Sequence, residues 1–163
     1  MRRELACFAL VLAAASPVYS QLLASKPWEE AETPAPAPVE TRGLIDLDIP
    51  DSGLRFGVAP GSITIGSDGV VRYVVVARGG SGVTAMYEGI RCNTGEYKVY
   101  ARDNAGAGWQ PVAQSTWRSL DQRPVPRHTK AIARTGACVG SVANFTAADI
   151  VRDLRQPGST LER

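Results

Sequence analysis

The segment "SITIGSDGVVRYVVVARGGSGVTAMYEGIRC", residues Ser62–Cys92, carries the strongest fold signal in the chain. It is rich in β-branched residues and is divided by glycine-containing turns, which is typical of short strands that follow one another. The pattern predicts strands over Ser62–Ile65, Val70–Ala77 and Val83–Arg91. Asp68-Gly69 predicts a tight hairpin turn, because glycine readily accepts the positive φ that such a turn needs. This segment therefore predicts consecutive antiparallel strands.

Alternating apolar residues extend the strand pattern on both sides of this segment. "LIDLDI", Leu44–Ile49, and "LRFGV", Leu54–Val58, place apolar side chains at every second position, which is the period of a half-buried strand. Glu96–Arg102 predicts a strand that returns after the turn "CNTG", and Trp109–Val112 predicts a further short strand. The sequence therefore predicts an α+β fold that is mainly β, with an antiparallel meander sheet of about five to six strands.

One helix is predicted near the C-terminus. In "NFTAADIVRDLRQPG", Asn144–Gly158, Thr146 is a favourable N-cap and Asp149 follows at the position that completes a capping box. Pro157 and Gly158 predict the end of the helix. We expect this helix to pack on the sheet. The preceding residues, Arg123–Gly136, predict a long loop or a weak helix.

The N-terminus has the features of a cleaved secretory signal. Two arginines precede the apolar run Leu5–Ala15, which is shorter than the 20 or so residues that cross a bilayer. We expect cleavage after Ser20, which makes residues 1–20 the signal peptide and predicts a periplasmic protein. Cys7 precedes most of the apolar run, whereas a lipid-modified cysteine follows it, so we expect no lipid anchor.

Composition divides the remaining chain into three parts. Proline and alanine alternate within residues 21–43, and this composition predicts an extended tether rather than a packed unit. A single β-rich domain is predicted over residues 44–157, followed by a disordered tail at residues 158–163. The net charge of +2 gives no electrostatic footprint for nucleic acid. No second long apolar run follows the signal, so no transmembrane segment is expected in the mature chain.

Two cysteines remain after signal cleavage, Cys92 and Cys138. In an exported chain, such a pair first predicts a disulfide. Closing the intervening loop of 46 residues stabilises the fold by roughly 4 kcal/mol in a chain-entropy treatment. The alternative is a reactive thiol at Cys138, activated by His128, the only histidine. A zinc site built from the two cysteines and His128 lacks a fourth ligand, so neither a metal nor another cofactor is predicted.

Charged residues within the predicted strands are candidates for a binding site. Strand alternation places Arg72 and Glu88 each among apolar neighbours, where a charge is costly unless it is paired. We expect the two to face each other across adjacent strands, or to bind something. The functional version of this hypothesis is an anion or peptide-carboxylate site that uses Arg72 and Arg91, with Tyr87 from the cluster of sheet tyrosines as a further candidate.

Trp28, Glu29 and Glu30 stand apart from the rest of the predicted tether. A tryptophan beside two acidic residues either docks back on the domain or waits for a partner. Docking back requires no further molecule. The alternative is that the three residues form a docking motif for another protein.

Four motifs occur in an order and spacing that resemble a known family. They are "WEE" at Trp28–Glu30, "DGVVRYVVVARGGSG" at Asp68–Gly82, "YEGIRC" at Tyr87–Cys92 and "KVYA" at Lys98–Ala101. With the tryptophans that follow, they resemble the cryptic neisserial protein-like family of small exported envelope proteins from Gram-negative bacteria. The resemblance covers roughly Trp28–Cys138, and Cys92 and Cys138 fall on two cysteines of the family. It implies an envelope protein without assigned activity and favours the periplasm.

Two functional hypotheses follow from these observations. The first is a non-enzymatic periplasmic module that binds an envelope partner: a protein, a peptide added at a sheet edge, or an anionic component. The alternative is a periplasmic hydrolase or thiol enzyme that uses His128 with Cys138 or a nearby serine. The surroundings of His128 discriminate between them, because a catalytic histidine has a nucleophile within hydrogen-bond reach in a cleft.

Overall fold

The computed structural model describes residues 27–34, 36–80 and 82–157 of the 163-residue chain. The predicted signal peptide at residues 1–20 and the predicted tail at residues 158–163 lie outside the described residues. No helix in the described ranges is both long enough and apolar enough to cross a membrane.

An antiparallel sheet forms the centre of the structure. Its strands are β1 (Ile45–Leu47), β2 (Arg55–Val58), β3 (Thr64–Ile65), β4 (Val70–Gly79), β5 (Gly82–Arg91), β6 (Glu96–Asn104), β7 (Gln110–Pro111) and β8 (Arg118–Ser119). They follow the order β1-β2-β4-β5-β6-β7, with β3 paired to β4 and β8 paired to β6. The predicted mainly β, α+β fold is confirmed. The sheet has eight strands because the two-residue strands β3, β7 and β8 join the longer ones.

The long strands β4 and β5 position most of the residues discussed below. They pair along their whole length, from Val70 opposite Arg91 to Gly79 opposite Gly82. The pairing of β5 with β6 has an irregularity between Tyr87 and Glu88, where β6 contains one extra residue. Such a bulge changes the direction in which nearby side chains point.

Two helices and a small hairpin cover one face of the sheet. They are α1 (Arg127–Ile132), a wide helical turn (Ala133–Ala137), β9 (Cys138–Val139), β10 (Val142–Ala143) and α2 (Ala147–Arg155). Ile132, Ile150 and Leu154 join the apolar core on this face. Thr146 caps α2 as predicted, because its hydroxyl accepts a hydrogen bond from the Asp149 amide at 3.1 Å. The region predicted as a loop or weak helix thus includes α1.

Residues 27–34 and 36–42, which we call the strap, lie along the opposite face of the sheet. The strap contains no helix or strand. Val39 and the following Leu44 pack on a second apolar cluster, which Val74, Val76, Ala85, Tyr87 and Ala101 form on this face. The division between tether and domain at residue 43 stays a prediction, but the described part of the predicted tether is packed on the sheet. The sheet is therefore covered by helices on one face and by the strap on the other.

Candidate functional site

Trp28 begins the contact between the strap and the sheet. Its indole nitrogen donates a hydrogen bond to the backbone carbonyl of Asp68 at 3.0 Å. Its ring meets Trp117 edge-on, with ring centroids 5.9 Å apart. The Arg91 guanidinium lies over the ring, with Cζ 3.7 Å from the ring centroid, which is the geometry of a cation–π contact. Trp28 therefore docks on its own domain, and docking of this residue to a partner stays a prediction.

Glu30 is the most densely bonded residue of the strap. Its carboxylate accepts hydrogen bonds from Lys98 Nζ at 2.8 Å and from the Tyr100 hydroxyl at 2.7 Å. Trp117 Nε1 donates a third hydrogen bond at 3.2 Å. Burial by itself raises the pKa of Glu30, but these hydrogen bonds and the charge of Lys98 outweigh it, so the pKa is lowered. Glu30 is thus held as a carboxylate, while its neighbour Glu29 is exposed.

Asp68 and Arg72 join the strap to the turn before β4. Arg72 donates to the Asp68 carboxylate from its two terminal nitrogens, Nη1 at 3.1 Å and Nη2 at 2.6 Å, and from Nε to the Thr33 hydroxyl at 3.0 Å. The Ala31 amide also donates to Asp68, at 2.9 Å. Burial raises the pKa of Asp68, but the hydrogen bonds from Arg72 and from backbone amides lower it to about 2. We call the contacts of Trp28, Glu30, Ala31 and Thr33 with the sheet the clasp.

Arg72 and Glu88 lie on opposite faces of the sheet, so the prediction that they face each other is wrong. The register pairs Arg72 with Gly89 and Tyr73 with Glu88. Because side chains alternate between the two faces of a strand, this register directs Arg72 to the strap and Glu88 to the helices. A difference of one residue in register separates the predicted arrangement from the observed one.

Glu88 is the centre of a buried hydrogen-bond cluster beneath α1. Its side chain is 0% exposed, and its carboxylate accepts hydrogen bonds from the Tyr73 hydroxyl at 2.9 Å and the Thr129 hydroxyl at 3.0 Å. His128 Nε2 lies 3.0 Å from the other carboxylate oxygen. Burial raises the pKa of Tyr73 well above its usual range, and the charge of Glu88 raises it further. Tyr73 is therefore a fixed hydrogen-bond donor to Glu88.

His128 and Cys138, the pair considered for thiol chemistry, are not arranged for it. Cys138 is bonded to Cys92, with the two Cα atoms 5.7 Å apart, which confirms the predicted disulfide and leaves Cys138 without a thiol. The His128 ring is buried and stacks on Phe56, with ring centroids 4.6 Å apart. Among the described residues, no serine hydroxyl is hydrogen-bonded to His128. The histidine therefore lies in a helix within the core, neither in an open cleft nor on an exposed loop.

A groove of about 600 Å³ runs between the strap and the sheet. Val74 and Tyr87 of the sheet form its floor, and the turn Pro60–Ser62 forms one wall. The strap forms the other wall through Pro34, Pro36, Ala37 and Pro38. Concave sites of this size with mostly apolar linings are typical of ligand-binding sites in proteins. Within the described ranges, no group of three or more His, Cys, Asp and Glu side chains is placed to hold a metal ion.

The four binding candidates therefore differ in their surroundings. Tyr87 is 7% exposed and lines the groove, as does Arg72, whose guanidinium is bonded to Asp68. Arg91 lies on the same face and pairs with Glu96 at 3.5 Å, so both arginines already have acidic partners. Glu88 is remote from the groove because it faces the helices. Use of any of these residues in ligand binding stays a prediction.

Sequence reasoning missed several residues of the clasp. Lys98, Tyr100 and Trp117 supply the three donors to Glu30, and Asp68 was interpreted only as a turn residue. One available signal was strand alternation, which places Lys98 and Tyr100 on one face of a predicted strand. Trp117 follows a region without a periodic pattern, so no sequence signal connects it to Glu30.

Comparison with known proteins places the chain in a family. The model of the CNP1-like family matches residues 23–155, which is most of the chain and includes the strap, the sheet and both helices. The chain belongs to the CNP1-like family. No curated protein and no solved structure gives a significant match. The match to the CNP1-like family confirms the resemblance found in the motifs, since this is a family of cryptic neisserial-type proteins.

Proposed function

We propose that this CNP1-like protein is a non-enzymatic module of the periplasm that binds an extended segment of another envelope protein. The observation that carries this proposal is the groove of about 600 Å³ between the strap and the sheet. Its floor is apolar and its walls are chain segments without regular strands, so an extended peptide can contact both sides. The short edge strand β3 adds to this argument, because Thr64 lines the groove and is exposed.

The surroundings of the titratable groups support binding over catalysis. The clasp carboxylates of Glu30 and Asp68 are each engaged by several donors, and the Glu88 carboxylate is enclosed in the core. A general base needs access to a proton on its substrate, either directly or through one water. The disulfide also removes Cys138 as a nucleophile. These features favour a module over the alternative of a hydrolase or thiol enzyme.

The disulfide supports the periplasmic location. Disulfides form and persist in oxidising compartments, of which the bacterial periplasm is one. The apolar run at Leu5–Ala15 supports export by a cleaved signal, as expected from the sequence. The proposal therefore includes residues 1–20 as a signal peptide and a mature protein that acts in the envelope.

Site-specific photo-cross-linking in the native envelope tests this function. A benzoylphenylalanine at Thr64 reports on the groove, and the same group at Arg155, an exposed residue of α2 on the other side of the molecule, is the control. We expect a discrete adduct with another protein from position 64 only. Gly61→Trp should abolish that adduct, because a side chain at Gly61 projects into open space at the groove wall.

Gly53→Trp is the matched control for this substitution. A side chain at Gly53 also meets no atom within 4 Å, but the residue does not line the groove. An adduct that persists in Gly61→Trp, or that forms equally from both probe positions, would contradict the proposed function.

A further inference from the structure

The floor of the groove adjoins an aromatic surface. Tyr87, Tyr100 and Trp109 lie on the strap face of the sheet, with ring centroids 5.2 Å apart between Tyr87 and Tyr100 and 6.3 Å apart between Tyr87 and Trp109. Tyr87 belongs to both this surface and the groove. Grooves lined by aromatic side chains are the usual receptors of proline-rich chains, whose rings pack on them.

The strap itself places a proline-rich segment on this surface. Trp109 Nε1 donates a hydrogen bond to the Ala37 carbonyl at 3.3 Å, and Ala37 stands between Pro36 and Pro38. Proline has no amide hydrogen, so such a segment offers carbonyl oxygens but few donors. The indole nitrogen is only a donor. The two groups are therefore chemically complementary.

The middle of the strap is held less firmly than its ends. The clasp fixes the first end through Glu30 and Thr33, and Arg78 fixes the other end by donating to the Thr41 carbonyl. Across the described middle residues, 34 and 36–38, the contact with Trp109 is the one hydrogen bond to the sheet. The groove lies beside this middle section. An incoming chain can therefore take the Trp109 hydrogen bond from the strap while the clasp stays in place.

We propose that the groove and the aromatic surface bind a proline-rich, extended segment of a partner protein, for which the middle of the strap is the internal counterpart. This inference rests on the proposed function, because it names the partner of the same groove. The partner segment takes the Trp109 hydrogen bond from Ala37 and packs its proline rings on Tyr87. A proline-rich chain is already close to the polyproline II conformation, so it loses little conformational freedom on binding.

The internal segment competes with the partner. A segment tethered at both ends is present at an effective concentration in the millimolar range. Loosening the clasp lowers that competition and should make the site accessible to a peptide added in solution. Glu30→Ala removes the acceptor of three hydrogen bonds in the clasp, one of them from Tyr100, at a residue that does not line the groove or contact Tyr87 and Trp109. Asp48→Ala is the control, because Asp48 is an exposed acidic residue that neither lines the groove nor belongs to the clasp.

Fluorescence anisotropy with a labelled peptide tests the inference on the mature protein. The probe is "TPAPAPVE", the sequence of residues 33–40, and its control replaces the three prolines by alanine. We expect the probe to bind Glu30→Ala about tenfold more tightly than it binds the wild type or Asp48→Ala. Adding Trp109→Phe should weaken that binding about fivefold, because an aromatic ring remains at this position but the indole N–H donor is lost. Adding Gly61→Trp should abolish it.

The outcomes separate this inference from the proposed function. Equal binding of the probe and its proline-free control, lost in both cases on Gly61→Trp, would overturn the preference for proline and leave the groove as a peptide site. No binding of the probe to any variant would also overturn the inference, and the cross-link from position 64 would then decide the proposed function by itself. If Glu30→Ala is too unstable to purify, Glu30→Gln provides the comparison with a smaller expected gain, because the amide keeps one oxygen acceptor and loses the charge that Lys98 pairs with.

Discussion

Replacing Glu88 by alanine should destabilise the protein by several kcal/mol. Tyr73, Thr129 and His128 direct hydrogen-bonding groups at its carboxylate, at distances of 2.9 to 3.0 Å, in a fully buried site. A buried polar group that loses its partner costs about 1–3 kcal/mol. Three such groups give a loss of at least about 3 kcal/mol, before the cavity left by the side chain is counted. That is a large fraction of the stability of a small domain, which is about 5–15 kcal/mol.

Glu88→Gln should cost much less, about 1 kcal/mol. Tyr73 and Thr129 bond the same carboxylate oxygen, so the amide oxygen of glutamine can accept both hydrogen bonds. The amide nitrogen then faces His128 Nε2, which can accept a hydrogen bond in the neutral tautomer that carries its proton on Nδ1. The difference between the two variants therefore measures the loss of acceptors and filled volume, because both remove the same charge.

Urea unfolding of the oxidised protein, followed by circular dichroism at neutral pH, gives both free energies of unfolding. Glu96→Ala is a control on the same sheet, because its ion pair with Arg91 is partly exposed and such pairs contribute about 0–1 kcal/mol. The reasoning on buried acceptors would be refuted if the free energy of unfolding of Glu88→Ala were less than about 1 kcal/mol below that of Glu88→Gln, with unchanged m-values.

Three further predictions concern the contact between Gly89 and Tyr100, the crosslink and acid stability. Gly89→Ala should displace the Tyr100 ring, because the added Cβ would lie 2.8 Å from the Tyr100 hydroxyl. The free energy of unfolding should fall by about 1–3 kcal/mol, and an unchanged melting temperature would contradict this. Replacing Cys92 and Cys138 by serine should lower the free energy of unfolding by about 4 kcal/mol, given a loop of 46 residues, and a loss under 1 kcal/mol would argue against it. Asp68, with its pKa lowered to about 2, should stabilise the fold above pH 4 and lose this contribution as the pH falls toward 2; Asp68→Asn should remove that pH dependence from unfolding curves.

The long hairpin and the crosslink were accessible to sequence reasoning because their signals are local. The β-branched run lies within β4, which ends at Gly79 in the glycine-rich turn, and a pair of cysteines in a chain predicted to be exported has few alternatives. The helix α2 was accessible for the same reason, since Thr146 and Pro157 mark its two ends. These elements depend on side chains that are close in sequence, so a single sequence contains enough information to place them.

The register of β4 and β5 could not be predicted from the sequence. This is why the prediction that Arg72 and Glu88 face each other was wrong. A shift of the register by two residues leaves every side chain on the same face of the sheet. A shift by one residue moves the side chains of one strand to the opposite face relative to its neighbour. The turn that sets the register contains several glycines in succession, and the sequence does not show which of them are paired. The observed pairing of Gly79 with Gly82 decides the matter.

The sequence indicates that both faces of the sheet are covered, but it does not indicate which segment covers the second face. In "VVRYVVVA", residues 70–77, both alternating sets of positions are apolar apart from Arg72, and all of these residues are buried. A strand that is apolar on both sides indicates a sheet covered on both faces. The one predicted helix can cover a single face of the sheet. The proline-rich segment was the remaining candidate for the second face, but a segment without periodic apolar residues is interpreted as a spacer.

The motifs that carry the family resemblance meet in one place in the structure. "WEE" supplies Trp28 and Glu30, "DGVVRY" supplies Asp68 and Arg72, "YEGIRC" supplies Arg91, and "KVYA" supplies Lys98 and Tyr100. They are distant in sequence, yet all of them belong to the clasp. The CNP1-like match likewise extends from residue 23, before the strap, to residue 155. The strap is therefore a component of the family domain. A shorter form that begins at residue 44 would expose the groove floor, Val74 and Tyr87, to solvent. It would also remove the Thr33 hydroxyl that accepts a hydrogen bond from Arg72.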